Sequence, residues 1–217
     1  MKITNLSKSY GGNPIFEDVT FSFSKGIIYS IFGVNGVGKT TLLNIINGNL
    51  GADIGRVEYN EGSLFIEDNH VPFEFMTADE FIVTTFKFKK SNYSEEQKNE
   101  LFERLNFQPG KKRISEYSKG MRSKLVLILA LLANPPILLL DEPFSDIDLV
   151  SFKEISHILK AERNKRIVIF STHVAKIAYE LADKILYLKN DGLFDLTRTF
   201  VSSDELEKFV LEKMENQ

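Results

Sequence analysis

Gly33-Val34-Asn35-Gly36-Val37-Gly38-Lys39-Thr40 gathers glycines, a cation and a hydroxyl in one short stretch and matches the pattern G-x-x-x-x-G-K-[ST]. Those residue types suit phosphate chemistry. Glycines let successive backbone N–H groups curl around phosphate oxygens, and a helix starting near Gly38 would add its positive end. Lys39 would neutralise the β and γ phosphates, and Thr40 would offer its hydroxyl to Mg²⁺. A second group, Asp141-Glu142, ends the apolar run Ile137 to Leu140. Carboxylates at the end of a buried strand lie at the carboxyl edge of a sheet, where open α/β sheets bind ligands. Asp141 then fits the Mg²⁺ side and Glu142 the base that activates water.

The pattern means this only if a strand precedes it and a helix follows. Ile27 to Phe32 is a compact apolar run, and after the loop Leu42, Leu43, Ile45 and Ile46 can face a core from a helix. The runs Ile137 to Leu140 and Arg166 to Phe170 read as buried strands. Each is followed by a helical pattern, Leu149 to Ala161 and Val174 to Ala182, and Lys184 to Leu188 reads as a further strand. This alternation implies a mostly parallel sheet covered by helices. Met1 to Leu6 and Ile15 to Phe23, separated by the turn Gly11-Gly12-Asn13-Pro14, read as an N-terminal antiparallel β region. The expected fold is therefore α/β, with a core over residues 1–70 and 135–217 and an inserted helical subdomain over 71–134. Within the insert, Ser94-x-x-Gln97 opens a helix to Asn106 and another helix runs from Ser118 to Ala133. A terminal amphipathic helix begins at Ser202-Ser203-Asp204-Glu205 and carries Leu206, Phe209, Val210 and Met214.

Composition bounds the alternatives. The chain has 217 residues, 43% of them hydrophobic, which suits one large globular unit. Its 27 basic and 30 acidic residues leave a net charge of −3, without the strong positive field of a duplex-coating protein. No nucleic-acid partner is expected on that ground. The absence of cysteine excludes disulfides and thiolate zinc sites. His70 and His157 lack metal-ligand spacing. The first residues carry no signal-peptide pattern, and the greasy stretch Leu125 to Leu140 is broken by Asn134-Pro135-Pro136, so a cytoplasmic protein is expected.

The order of these motifs resembles the ATP-binding-cassette (ABC) ATPases over essentially the whole chain. Ser118-Lys119-Gly120-Met121 is similar to that family's signature loop, usually Leu-Ser-Gly-Gly-Gln, which separates it from other phosphate-loop enzymes. Ser145-Asp146-Ile147-Asp148 resembles the D-loop, His173 the switch histidine, and Tyr10 the aromatic residue that stacks on adenine. The compactness and the Tyr-Ser-Lys-Gly-Met signature resemble small bacterial exporter ATPases.

The resemblance implies an ATPase subunit of a transporter, working with Mg²⁺, a membrane-spanning permease and a second cassette subunit, on the inner face of the cell membrane. It implies nucleotide contacts from Tyr10, Gly33, Asn35, Gly36, Gly38, Lys39, Thr40 and Thr41. Ser118 and Gly120 would reach the γ-phosphate held by the opposite subunit, with Asp148 linking the two sites. Thr40, Asp141 and Glu67 would stand near the metal, and Glu142, His173 and Glu67 would serve catalysis. The alternative is a cassette ATPase acting on nucleic acid or ribosomes, but the coiled coils, zinc cysteines or tandem cassette typical of those relatives are missing here.

Several positions depart from the family pattern. Glu67 stands where glutamine is usual, Tyr117, Lys119 and Met121 replace Leu, Gly and Gln in the signature, and Asp146 replaces a small residue in the D-loop. Lys119 reads equally as a cation near the γ-phosphate and as a solvated loop residue. The basic runs Lys87 to Lys90 and Lys111 to Arg113 read as solvated faces. Phe73, Phe75, Phe81, Phe86 and Phe88 are expected to be mostly core, with part of the cluster available as a docking groove for the permease.

Overall fold

The computed structural model describes residues 1–58, 62–67, 71–197 and 200–215, with side chains described as far as 212. His70, Asp68 and the Met214 side chain lie outside the described residues. In chain order the strands are β1 (Lys2–Tyr10), β2 (Asn13–Ser22), β3 (Ile28–Phe32), β4 (Ile54–Glu58), β5 (Ser63–Glu67), β6 (Ile137–Asp141), β7 (Ile167–Thr172), β8 (Lys184–Lys189) and β9 (Gly192–Asp195). The helices are α1 (Lys39–Asn47), α2 (Ala78–Phe88), α3 (Glu95–Arg104), α4 (Lys119–Leu132), α5 (Leu149–Glu162), α6 (Ala175–Leu181) and α7 (Ser203–Glu215).

Two compact units share the chain. The first comprises residues 1–67, 136–143 and 162–217. It holds a six-stranded sheet of order β5-β6-β7-β3-β8-β9, in which all neighbours run parallel except the β8–β9 pair. Strands β3, β6 and β7 are buried at every position, as their unbroken apolar runs require for strands covered on both faces. The α/β fold with a mostly parallel sheet and an antiparallel N-terminal region is thus the one expected. The antiparallel sheet has order β2-β1-β4. Its core contacts include Phe21, Phe23 and Tyr29, whose rings meet edge to face. Helix α1 ends at Gly48, whose left-handed backbone turns its N–H back onto Asn44 and Ile45.

Boundaries moved for physical reasons. Strand β7 starts at Ile167, one residue after Arg166, whose side chain is buried in an ion pair with Glu162 at 2.7 Å. Helix α6 starts after Val174, which has extended backbone at its N-cap. Strand β8 falls where a strand is expected over Lys184 to Leu188, whereas its antiparallel partner β9 and strand β4, short and mixed in composition, have no counterpart in the sequence expectation. Helix α7 begins at Ser203 and is anchored by Leu206 and Val210, both buried.

The second unit comprises residues 68–135 and 144–161. Thr77 and Glu80 form a reciprocal capping box at the start of α2, and the Ser94 hydroxyl caps α3 by accepting from the Gln97 N–H. Arg122, on α4, bonds the Glu74 carboxylate and the Tyr117 carbonyl, fixing the segment that leads into the helix. Lys124 pairs with Glu154 of α5 at 2.5 Å with both largely buried. The aromatic cluster corrects the expectation of a mostly buried set. Phe81 and Phe86 are core, whereas Phe73, Phe75 and Phe88 are exposed, at 52%, 64% and 89%. Phe88 is the last residue of its helix, and Phe73 is held at φ +64°, a backbone region that bulky residues rarely occupy.

Gly55 tests the close packing of β1 on β4. Its φ is +87°, and a Cβ there would stand 2.4 Å from the Thr4 carbonyl oxygen and 2.3 Å from that of Asn5. Gly55→Ala should destabilise the fold by more than about 1 kcal/mol. A thermal melt followed by circular dichroism should show a fall of at least about 2 °C, and an unchanged melt would contradict the close approach.

Candidate functional site

The loop between β3 and α1 is built around its own lysine. Lys39 is only 6% exposed. Its ammonium donates to the carbonyl oxygens of Gly33 (2.9 Å) and Val34 (3.1 Å) and lies 3.3 Å from Glu142 Oε1. A buried cation must be paired and hydrogen-bonded, and here backbone and carboxylate do both. Gly38 is required twice over. Its φ is +104°, and an added Cβ would meet Ile15 at 2.4 Å. Gly36, also left-handed at φ +81°, and Asn35 stand exposed at the turn, Gly33 is buried, and Thr41 is half-buried on the first turn of α1.

Strand β7 lies between β3 and β6 and carries the groups that join them. The Ser171 hydroxyl donates to Asp141 Oδ1 and accepts from the Glu142 N–H at 2.8 Å. Asp141 Oδ2 in turn accepts from the Thr40 hydroxyl at 2.6 Å. Two residues after Ser171, His173 Nδ1 is 3.0 Å from Glu142 Oε1. Glu142 itself has φ +43°, a strained position for a residue with a side chain, and such strain persists where surroundings over-determine it. Phosphate-binding loop, Thr40, Asp141, Glu142 and His173 therefore converge on one sheet edge. A γ-phosphate there would meet an ammonium, an imidazole and a carboxylate able to orient water.

Thr40 and Asp141 fit a magnesium ion by donor chemistry. They supply two adjacent oxygens, a hydroxyl and a carboxylate. Among the described residues no group of three His, Cys, Asp or Glu side chains could hold a metal. Mg²⁺ suits such a site because it keeps waters and takes remaining ligands from substrate phosphates. Glu67 is exposed at the end of β5, in register with Asp141 on β6. Tyr10 ends β1 and is 50% exposed, with the Lys8 ammonium 5.5 Å from its ring centroid.

The second unit holds the remaining positions. Ser118 caps α4, its hydroxyl accepting from the Met121 N–H at 3.2 Å. Asp148 caps α5, accepting from the Ser151 N–H (2.9 Å) and hydroxyl (2.7 Å), and these two bonds hold its carboxyl below the ordinary range. Gly120 packs directly on that cap. A Cβ there would lie 2.3 Å from Ser151 Oγ and 2.8 Å from Asp148 Oδ2. The two departures Lys119 and Asp146 are one feature, an exposed ion pair at 2.7 Å. His157 is an exposed helical residue.

Sequence reasoning passed over Ser171 and Ser151. Each is a small hydroxyl inside a strand or helix pattern. The available signal was a polar residue in an otherwise apolar strand, Ile-Val-Ile-Phe-Ser-Thr, at the edge where the acids end theirs.

The family model described as ABC transporter matches residues 16–145. An uncharacterized ABC transporter ATP-binding protein of Methanocaldococcus jannaschii is 30% identical over 87% of the chain and 74% of its own length. The lantibiotic transport ATP-binding protein SrtF of Streptococcus pyogenes is 27% identical over 96% of the chain and 94% of its own length. Among solved structures, a dimeric ATP-binding cassette in a post-hydrolysis state with ADP and Pi superposes with TM-score 0.74 at 24% identity, covering 88% of the chain and 95% of that one. That last likeness concerns the fold.

Ser171→Ala removes the donor to Asp141 and the acceptor for the Glu142 N–H together. Leaving that N–H unsatisfied should cost about 1–3 kcal/mol in a urea denaturation series. Unaltered stability would show that neither bond contributes.

Proposed function

We propose, for a chain that belongs to the ABC transporter family and is an ATPase, that it energises substrate movement through a separate membrane-spanning partner by ATP-driven pairing of two cassettes. The observation that carries this reading is the convergence of Lys39, Thr40, Asp141, Glu142 and His173 on one sheet edge.

The adenine of ATP stacks on Tyr10, and its phosphates enter the loop formed by Gly33, Asn35, Gly36 and Gly38, with Thr41 beside them at the helix start. Lys39 turns from Glu142, 3.3 Å away, to the β and γ phosphates. Thr40 and Asp141 would hold Mg²⁺, with Glu67, in register with Asp141, as a further candidate ligand. When bound, the ion neutralises phosphate charge in the transition state. Glu142 orients the attacking water, and His173, already 3.0 Å from Glu142, contacts the γ-phosphate. Phosphoryl transfer of this kind depends mainly on positioning and charge stabilisation.

Half of the γ-phosphate contacts come from a second cassette subunit. Ser118 and Gly120 of one subunit reach the nucleotide of the other, and Asp148 links the paired sites. The joined packing of Gly120 on the Asp148 cap supports this, because the two loops then approach a partner as one surface.

No helix among the described residues is long and apolar enough to cross a membrane. Association with the inner face of the membrane therefore runs through the permease. Phe73 and Phe75, exposed and stacked edge to face at 6.1 Å, form the apolar contact offered to it.

Glu142→Gln should retain ATP binding, lower turnover about 10²- to 10⁴-fold and accumulate an ATP-dependent dimer on size exclusion. Parent-like turnover would remove Glu142 from the reaction. Phe75→Asp should release the protein from co-expressed permease in a membrane pull-down while ATP affinity stays unchanged. Retention on the membrane would place the docking surface elsewhere.

A further inference from the structure

Tyr10 ends β1 opposite Asn13 of β2, while the other edge of the strand lacks a ladder partner there. The pairing of β1 with β4 runs out at Ser7 and Ile54. On its other side Ser9 faces Pro14, which has no N–H to give the ladder. Asp53, the residue just before β4, fills the gap. Its N–H donates to the Ser7 carbonyl at 2.9 Å. Its carboxylate accepts from the Ser9 N–H (2.7 Å), the Ser9 hydroxyl (2.8 Å) and the Lys8 ammonium (2.8 Å). Asp53 thus continues the strand edge with a side chain in place of a backbone carbonyl.

Lys8 carries the effect to the ring. Its ammonium, fixed by Asp53, lies 5.5 Å from the centroid of the Tyr10 ring, and only 12% of the side chain is exposed. A cation against an aromatic face is attracted by the ring's electrons and occupies that face. Tyr10 as a whole is 50% exposed, so beside Lys8 it keeps open surface for a ligand. The loop bearing Asp53 follows directly on α1, the helix of the phosphate-binding loop.

We propose that Asp53 is a positioning residue for nucleotide recognition: through Ser9 and Lys8 it sets Tyr10 as a platform for the purine base, in register with the phosphate-binding loop. This rests on the reading of Tyr10 as the adenine contact. The clamp keeps its charge at working pH. The Lys8 bond, with those of Ser9, lowers the Asp53 carboxyl from 3.8 to about 2. A depressed carboxylate contributes above its unfolded value and loses that contribution only as pH falls through about 2.

The test compares ATP with tripolyphosphate, which has no base, by calorimetric titration of the full chain. Asp53→Asn should raise the Kd for ATP about threefold to tenfold, a part of what base stacking contributes, and leave that for tripolyphosphate unchanged. Lys8→Met, which spares both Ser9 bonds, should move ATP binding in the same direction. In a Tyr10→Ala background, Asp53→Asn should have no further effect on ATP. Equal weakening of both ligands, or an effect that persists without Tyr10, would reduce Asp53 to a structural role and overturn the proposal. If Tyr10→Ala alone leaves ATP affinity intact, the adenine reading itself fails, and the proposal with it.

Discussion

An ammonium ion with 6% exposure sits at the end of a six-stranded sheet, and much of the surrounding architecture answers the cost of placing it there. The carbonyls of Gly33 and Val34 must face inward to receive it, which sets the course of the loop. Glu142 must approach to 3.3 Å, which brings the end of β6 toward the end of β3 across the intervening β7. The same groups that satisfy Lys39 without nucleotide lie at a sheet edge where a polyanion would compete for its ammonium. A phosphate is then a substitute partner for a charge already paid its desolvation, which is why so few residues suffice.

Ser171 is the joint in this arrangement. Strand β7 contributes no charge of its own at this edge, yet its hydroxyl bonds to one acid and accepts from the backbone of the next. The Asp141 carboxylate and the Glu142 backbone are consequently set by one atom. His173 follows on the same strand end, so three functional directions are fixed by the register of a single parallel strand against its neighbours.

Much of this was legible in the residues alone, because phosphate loops and strand-terminal acids are local in sequence and their chemistry needs particular atoms at fixed spacing. The α/β alternation was legible for the same reason: buried parallel strands are continuous apolar runs. What escaped was non-local. Strand β4, Ile-Gly-Arg-Val-Glu, owes its existence to β1 and not to its own composition. Ser171 and Ser151 look like ordinary hydroxyls until their partners 30 and 3 residues away are in place. Apolar content could not separate Phe81 from Phe75, since burial there depends on which side of α2 and its preceding turn each ring leaves. Lys119 and Asp146 read as two unrelated departures, although in the fold they neutralise each other.

Gly120 has a wider meaning for how such chains can be recombined. Because its missing side chain is the space into which Ser151 and the Asp148 cap fit, the start of α4 and the start of α5 are not independent modules. A chimera that imports either segment alone inherits half of a steric fit. Only joint transplantation, with residues 118–120 and 148–151 taken from the same parent, carries the interface across intact.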